Sequence, residues 1–502
     1  MAITLVLSIL IALVVCYLFL TKNYKYWQKR GVPSPDGVVP GLGHFWPIIT
    51  QKTNTSDFCR ELYNANRNHS VVGFYNCMTP TLIVRDPELV KTVLATSFTN
   101  FHENGLKINP DLDPLLASNP FFVYGDTWVT ARKRLTYAFS SARLKFLLES
   151  VKQVCTTFDN YLDRKLKKTG KIELELKDLF SRFTAQVVSG AGFGVDGFCF
   201  DDDKEKESFY TIGKTFLEPS VWNYLVFTLT FFLPMLGKIL RMRMLPKKAD
   251  DFFRNLVADV MEQRRKDTTP RNDFLQLMAN LERTEGDTFD LDVLASHAVS
   301  FFIDGYETSS VVLSFVGFNL ATHPKVQEKL REEVISVLNK HDGVITYEAL
   351  KDMTYMDQVI SESQRMIPAV GFLNKVCTEN TELKGSDGLV YRVERGTPIV
   401  IPVKGLHTDP QLWENPEKYD PDRFGPDRKN SIEKFAFLPF GEGPRMCVGM
   451  RMALLQVKAC LATFLKKYSL ELSSKTKLPL KLIATTFLNA AEGGIWASVR
   501  PI

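Results

Sequence analysis

The chain has 502 residues, 45% hydrophobic and 24% charged, with a net charge of +5 from 62 basic and 57 acidic side chains. That is enough apolar material for a large globular core, while the mild charge and the lack of a basic arm exclude a nucleic-acid binder. Eight widely spaced cysteines without a CxxC pair, and seven scattered histidines, argue against a disulfide-stapled scaffold and a His-rich metal site, and for free thiols in a reducing compartment.

Ala2 to Leu20 carries no charge, and as a helix it spans about 28 Å, roughly one bilayer core. Lys22, Lys25, Lys29 and Arg30 follow, mixed with Tyr24, Tyr26 and Trp27. Positive charge in an aromatic belt predicts an uncleaved anchor with the body on the cytosolic side. A cleaved signal peptide would have a basic start and a shorter apolar run. Pro33, Pro35 and Pro40 make the next segment stiff and extended. The expected division is residues 1–21 as anchor, 22–43 as a basic and proline-rich linker, and 44–502 as the body.

Residues 71–84 read as strand, with Thr79-Pro80 as turn material. Residues 101–125 are irregular and contain Pro110, Pro114, Pro120, Phe121 and Phe122. Trp128 and Arg132 then sit at i, i+4 on a basic helix, on one face. Lys133, Arg134, Arg143 and Lys145 make a positive patch, either a solvated face or a docking surface for an acidic partner. The stretch 216–245 is apolar and aromatic, with Trp222, Tyr224, Phe227, Phe231 and Phe232, broken by Pro219 and Pro234. Its uninterrupted run, Tyr224 to Leu233, is too short to span a bilayer; the stretch is either core or, as preferred here, a segment that dips into the membrane.

Residues 290–322 predict one long helix, capped by Asp290 or Asp292, ended by His323-Pro324, and apolar nearly all round, hence buried. Inside it lies Asp304-Gly305-Tyr306-Glu307-Thr308. A mid-helix glycine costs about 1 kcal/mol against alanine, so Gly305 needs a reason, and close approach of a ligand is one. An amphipathic helix follows over 324–338. Glu362 and Arg365 are spaced to pair on a helix, and Pro421-Asp422-Arg423-Phe424 comes later. Strands are expected over 482–499, with a Gly493-Gly494 turn.

The densest motif is Phe440-Gly441-Glu442-Gly443-Pro444-Arg445-Met446-Cys447-Val448-Gly449, followed by an apolar run with good helix formers, 450–464. This holds one sulfur at the mouth of a helix, where backbone N–H groups and the dipole favour a thiolate. The glycines let the loop turn sharply and lie close to something flat.

Phe440, Gly441, Arg445, Cys447 and Gly449 match the spaced positions of the haem-binding loop of the cytochrome P-450 superfamily. The resemblance runs from about Pro33 to the end. The overall flavour is closest to insect microsomal members of the detoxification type. It implies a fold that is mainly α with small β-sheets (α+β), preceded by a transmembrane helix and a hinge. It implies Cys447 as the axial ligand of haem iron (haem b). Arg445, Trp128 and Arg132 would meet haem propionates, as would His407, from the segment before the loop. Phe440, Gly441 and Gly449 would shape the cradle.

The same resemblance makes 304–308 the oxygen-activation motif, with catalytic positions Asp304, Gly305, Glu307 and Thr308; Glu307 and Thr308 would handle protons. Glu362, Arg365 and Arg423 would form the network that fixes the loop. Phe121, Phe122, Phe301, Val370, Phe372 and Asn489 would line the substrate pocket. Two departures stand out. Phe372 replaces a basic propionate partner. Asp304 replaces the usual alanine, to bind a cation, to bind a polar substrate group, or to turn away to a partner. The implied reaction inserts one atom of O₂ into an apolar organic substrate. NADPH would supply electrons through NADPH–cytochrome P-450 reductase, with cytochrome b5 as a second donor, at the endoplasmic reticulum membrane. Alternatives are a reductase-independent haem-thiolate isomerase or dehydratase, which tends to lose the acid–threonine pair, and a non-catalytic haem-binding membrane protein.

Overall fold

Alternating apolar residues build small sheets here, and apolar runs at helical spacing build nearly everything else. The computed structural model describes residues 1–502 except 168–169, 232, 268, 270 and 285–289, so Phe232 lies outside the described residues. The chain is mainly α with small sheets. It divides into two compact units. The first is Met1–Leu106, Val370–Pro416 and Ile432–Met446; the second is Lys107–Ala369, Glu417–Ser431 and Cys447–Ile502.

In the first unit, a four-stranded sheet has the order Val71–Asn76, Thr79–Val84, Pro398–Ile401, Leu373–Val376. The expected hairpin forms, but it turns at Cys77 and Met78, with Cys77 at φ 52°, and Thr79-Pro80 belongs to the strand. Proline is tolerated there because pairing with Pro398–Ile401 begins only at Leu82, so its missing N–H breaks no bond of that ladder. The helix Ala2–Thr21 contains a 19-residue stretch, Ile3–Thr21, of mean hydropathy 3.0 with none of it buried, long and apolar enough to cross a membrane.

The segment after this helix is laid firmly on the sheet. Trp27 is 1% exposed, and its Nε1 donates to the Phe74 carbonyl at 3.0 Å. The Tyr24 hydroxyl donates to the Val39 carbonyl at 2.9 Å, and the Gly73 N–H donates to the Pro33 carbonyl at 2.8 Å. Gly73 is obligatory, because a Cβ there would stand 2.4 Å from the Trp27 ring.

In the second unit, the 32-residue helix Leu291–Thr322 is buried along most of its length, including Leu294, Val299, Phe302, Leu313, Val316 and Leu320. Asp290 caps it, accepting the Asp292 N–H. Pro324 opens the next helix, Pro324–Lys340. The helix Met450–Leu465 shares one core with the long helix, Leu455, Leu461 and Leu465 clustering with Val311 and Leu313. A three-stranded sheet has the order Ile172–Glu175, Trp496–Pro501, Tyr468–Leu472. Of the strands expected over 482–499, only Trp496–Pro501 forms fully, with a lone bridge between Leu482 and Ala491. Gly493 and Gly494, both at positive φ, break the ladder between them. The helices Val221–Phe231 and Pro234–Ile239 leave Trp222, Met235 and Ile239 more than 60% exposed.

Candidate active site

The second unit gathers the chemistry around the start of the helix Met450–Leu465. Gly449 is its N-cap, two residues past Cys447. Burial pushes the Cys447 thiol up to about 11; the backbone N–H groups of Gly449 and Met450 act the other way, the Asp304 carboxylate raises it further, and the Arg132 guanidinium lowers it. The sulfur is nonetheless solvent-reachable, as is Asp304.

The donor set fits an iron thiolate. A soft sulfur aimed at by two N–H groups is a metal ligand, and a metal ion on it offsets the cost of burying the thiolate. Among the described residues no three His, Cys, Asp or Glu side chains converge on one point. A single thiolate therefore suits a metal already chelated by a macrocycle, as in haem. A Cβ at Gly449 would meet no atom within 4 Å, so that side of the loop is clear. All eight cysteines are free, as expected.

Trp128 and Arg132 share one face of the helix Gly125–Ala138, both half-buried. Burial holds the Arg132 guanidinium below its usual range, against the pull of the Cys447 sulfur.

On the long helix, Thr308 Oγ1 donates to the Asp304 carbonyl at 2.6 Å. The Gly305 carbonyl accepts from Gln456 Nε2 at 3.2 Å, and the same nitrogen donates to Ser309 Oγ at 2.7 Å, tying the long helix to Met450–Leu465. A Cβ at Gly305 would stand 3.2 Å from Val188, so the glycine serves close packing against that neighbour. Glu307 pairs with Lys177 at 2.8 Å. Asp304 Oδ2 accepts from Asn119 Nδ2 at 3.3 Å, and burial pushes its carboxyl up to about 6.

Glu362, Arg365 and Arg423 come together. Arg365 makes a fork to Glu362 at 2.7 and 2.9 Å, Arg423 Nε reaches Glu362 at 3.3 Å, and the Asp420 N–H donates to the same carboxylate at 2.9 Å. Glu362 and Arg365 are fully buried.

The first unit carries the rest of the loop. Gly441 and Gly443 take positive φ. A Cβ at Gly443 would fall 2.0 Å from the Leu94 carbonyl oxygen, so the flat surface this glycine lies against is backbone. Phe440 is half-buried. Lys375 is buried, donates to Asn104 Oδ1 at 2.7 Å, and is pushed down to about 7 by burial and by Arg445. Two cations pressed together call for an anion.

Other placements differ from expectation. His407, expected to approach a propionate, is fully buried, and its Nε2 accepts the Leu438 N–H at 2.8 Å; that nitrogen holds backbone leading into the loop. Phe301, expected in the pocket, stacks on Phe274 at 4.4 Å and on Phe139 at 6.2 Å, which makes it core. Asn489 is buried, with Nδ2 donating to the Pro368 carbonyl at 2.7 Å, a clamp on backbone. Phe121 is exposed, Phe122 and Val370 are half-buried, and Phe372 is buried. Asn119, Lys177, Lys375 and Gln456 are site residues that sequence reasoning missed. Only Lys375, a charge between Leu373 and Val376 in strand-like sequence, carried a local signal.

The family model for cytochrome P450 matches residues 33–497. The chain is 33% identical to cytochrome P450 9e2 of Blattella germanica over 97% of this chain and 96% of the relative. It is 33% identical to cytochrome P450 6a2 of Drosophila melanogaster over 99% of each. It is 31% identical to cytochrome P450 6j1 of Blattella germanica over 98% of this chain and 97% of that one. The cysteine at a helix mouth, the buried Glu–Arg–Arg network and these matches together lead to one conclusion: the chain belongs to the cytochrome P450 family and is a haem-containing monooxygenase.

Proposed function

We propose that Cys447 is the residue that would hold the haem iron through its sulfur, and that the enzyme oxygenates a small apolar organic substrate using electrons from NADPH delivered by a separate reductase. The carrying observation is the Cys447 sulfur, reachable and faced by the N–H groups of Gly449 and Met450. Bound there, haem supplies the dioxygen chemistry that places one oxygen atom in the substrate. In the second unit Trp128 and Arg132 would hold a haem carboxylate, and in the first Arg445 and Lys375 would offer an anion site. Gln456 fixes the Gly305 turn of the long helix. Thr308 holds a proton at its hydroxyl, and Glu307, at the Lys177 side, moves protons inward from solvent.

Lys133, Arg143 and Lys145 offer a basic face to an acidic reductase, with cytochrome b5 as a second partner on the same face. Lys145 is partly neutralised by Glu348 at 2.5 Å, which leaves Lys133 and Arg143 as the stronger charges. The helix Ala2–Thr21 is the anchor in the endoplasmic reticulum membrane, with the body cytosolic, and 22–43 is the segment that joins them. The exposed apolar faces of Val221–Phe231 and Pro234–Ile239 dip into the same membrane and admit apolar substrate. The test is the spectrum of the reduced protein with carbon monoxide: a thiolate signature supports the reading, and a signature of nitrogen ligation or none overturns it.

A further inference from the structure

Oxygen chemistry makes no use of the charges carried by the surface of residues 219–249. We propose that this surface binds acidic phospholipid headgroups through Lys238, Arg241, Lys247 and Lys248, so that the enzyme body settles preferentially on negatively charged membrane. The proposal rests on the membrane contact proposed above for Val221–Phe231 and Pro234–Ile239, and it names the lipid that this contact selects.

Residues 219–249 contain five basic side chains and no acidic one. One of the five, Arg243, is taken up internally, reaching Asp250 at 2.5 Å and Asp113 at 3.7 Å. The other four are exposed, and among the described residues none of them makes an ion pair. Interleaved with them in the chain are the exposed Met235, Leu236, Ile239 and Leu240, Met235 to 80%. Exposed apolar side chains gathered in one place mark an interaction site. Lipid offers both partners at once, phosphate and carboxylate groups for the cations and acyl chains for the aliphatics.

Two local features show the charges kept against the preference of the backbone. Arg241 has φ 53°, just past the helix Pro234–Ile239. Its N–H donates to the Lys238 carbonyl at 3.1 Å, and the Met242 N–H donates to the Gly237 carbonyl at 2.9 Å. This is the helix-ending turn in which glycine is usual, because a Cβ is strained at positive φ. Lys247 and Lys248 open the helix Lys247–Lys266, where the backbone dipole opposes cations. Neither the turn nor the helix accounts for these side chains, whereas an anion from outside does.

The surface is also set in advance. A Cβ at Gly237 would fall 2.7 Å from the Leu229 carbonyl oxygen, so the two short helices are packed backbone to backbone. Asp113 accepts the N–H groups of Met244 and Leu245 at 2.8 and 3.1 Å, which pins the connector between Arg241 and Lys247. Little ordering of backbone is then needed before the cations meet a charged surface.

The test places the full-length, haem-loaded protein in nanodiscs of phosphatidylcholine alone, and in nanodiscs with about one lipid in five replaced by phosphatidylserine. Amide hydrogen exchange over residues 234–242 is followed by mass spectrometry. It should be about tenfold slower in the acidic discs, the scale of one or two surface charges meeting anionic lipid, and the difference should shrink at high salt. The quadruple variant Lys238→Gln, Arg241→Gln, Lys247→Gln, Lys248→Gln should exchange at the neutral-disc rate in both. Arg241→Gly, which relieves the turn and removes one charge, should lose part of the difference. Equal exchange in the two lipids, or a difference kept by the quadruple variant, overturns the proposal and leaves the cations to an acidic protein. Equal protection in both discs, relative to the protein in detergent, sinks this inference alone, whereas no protection in either sinks the membrane contact as well.

Discussion

Lys177 Nζ stands 2.8 Å from Glu307 Oε2 and 2.9 Å from Ser181 Oγ. The acid of the long-helix motif is therefore held by a cation from the helix Leu176–Val187. Glu307→Gln removes the acid and is expected to lower kcat by about 10²-fold, with a larger solvent isotope effect. Lys177→Met frees the carboxylate without removing it, and a smaller loss is expected. Unchanged turnover and isotope effect in both variants would take proton delivery away from this pair.

Thr308 Oγ1 spends its proton on the Asp304 carbonyl at 2.6 Å, a bond it can exchange within the site. Thr308→Ala should keep NADPH consumption running while product per NADPH falls several-fold and peroxide rises. Product and NADPH measured together decide the matter, and full coupling in the variant would remove the hydroxyl from proton handling.

Cys447→Ala should fold, because the loop is held by Gly443 against Leu94 and by His407 on Leu438. It should lose the thiolate spectrum altogether. A variant that kept that spectrum would assign the iron to another sulfur.

Glu362 is shared by two arginines and a backbone N–H with no exposure to solvent. Removing the carboxylate strands two buried cations. Glu362→Ala is expected to cost about 3–5 kcal/mol of stability, read as a fall in the urea midpoint. A midpoint within experimental error of the wild type would contradict the network's role.

Burial and the nearby Arg134 push His297 down from 6.5 to about 4. Between those values the unfolded chain binds more protons than the folded one, so stability falls as pH drops through the window and levels off below it. The loss amounts to about 3 kcal/mol at most. His297→Asn should flatten the stability profile from pH 6.5 to 4, and an identical profile would place the acid sensitivity elsewhere.

Much of the site was legible because its residues lie close together in the chain. Cys447 and its glycines occupy one loop, and Glu362 and Arg365 are three apart on one helix. What escaped was long-range. Asn119 meets Asp304 across 185 residues, and Lys177 meets Glu307 across 130. An asparagine in a loop or a lysine in a helix carries no mark of a partner that far away. Phe301 misled for a related reason: its place on the motif's helix was visible, while Phe274, which claims its ring, was not. The turn placed at Thr79-Pro80 followed proline's usual habit, and the strand absorbed it because that end of the ladder needs no proline N–H.

The lodging of Trp27 beneath Gly73 has a mechanical consequence. A chain leaving a bilayer through slack sequence would let the attached body tumble. Here the indole bolts the end of that segment to the first sheet, so with Ala2–Thr21 seated in a bilayer, as proposed above, any tilt of that rod would reach the sheet as torque, and the sheet's attitude toward the lipid surface would be set within a few residues of the headgroups.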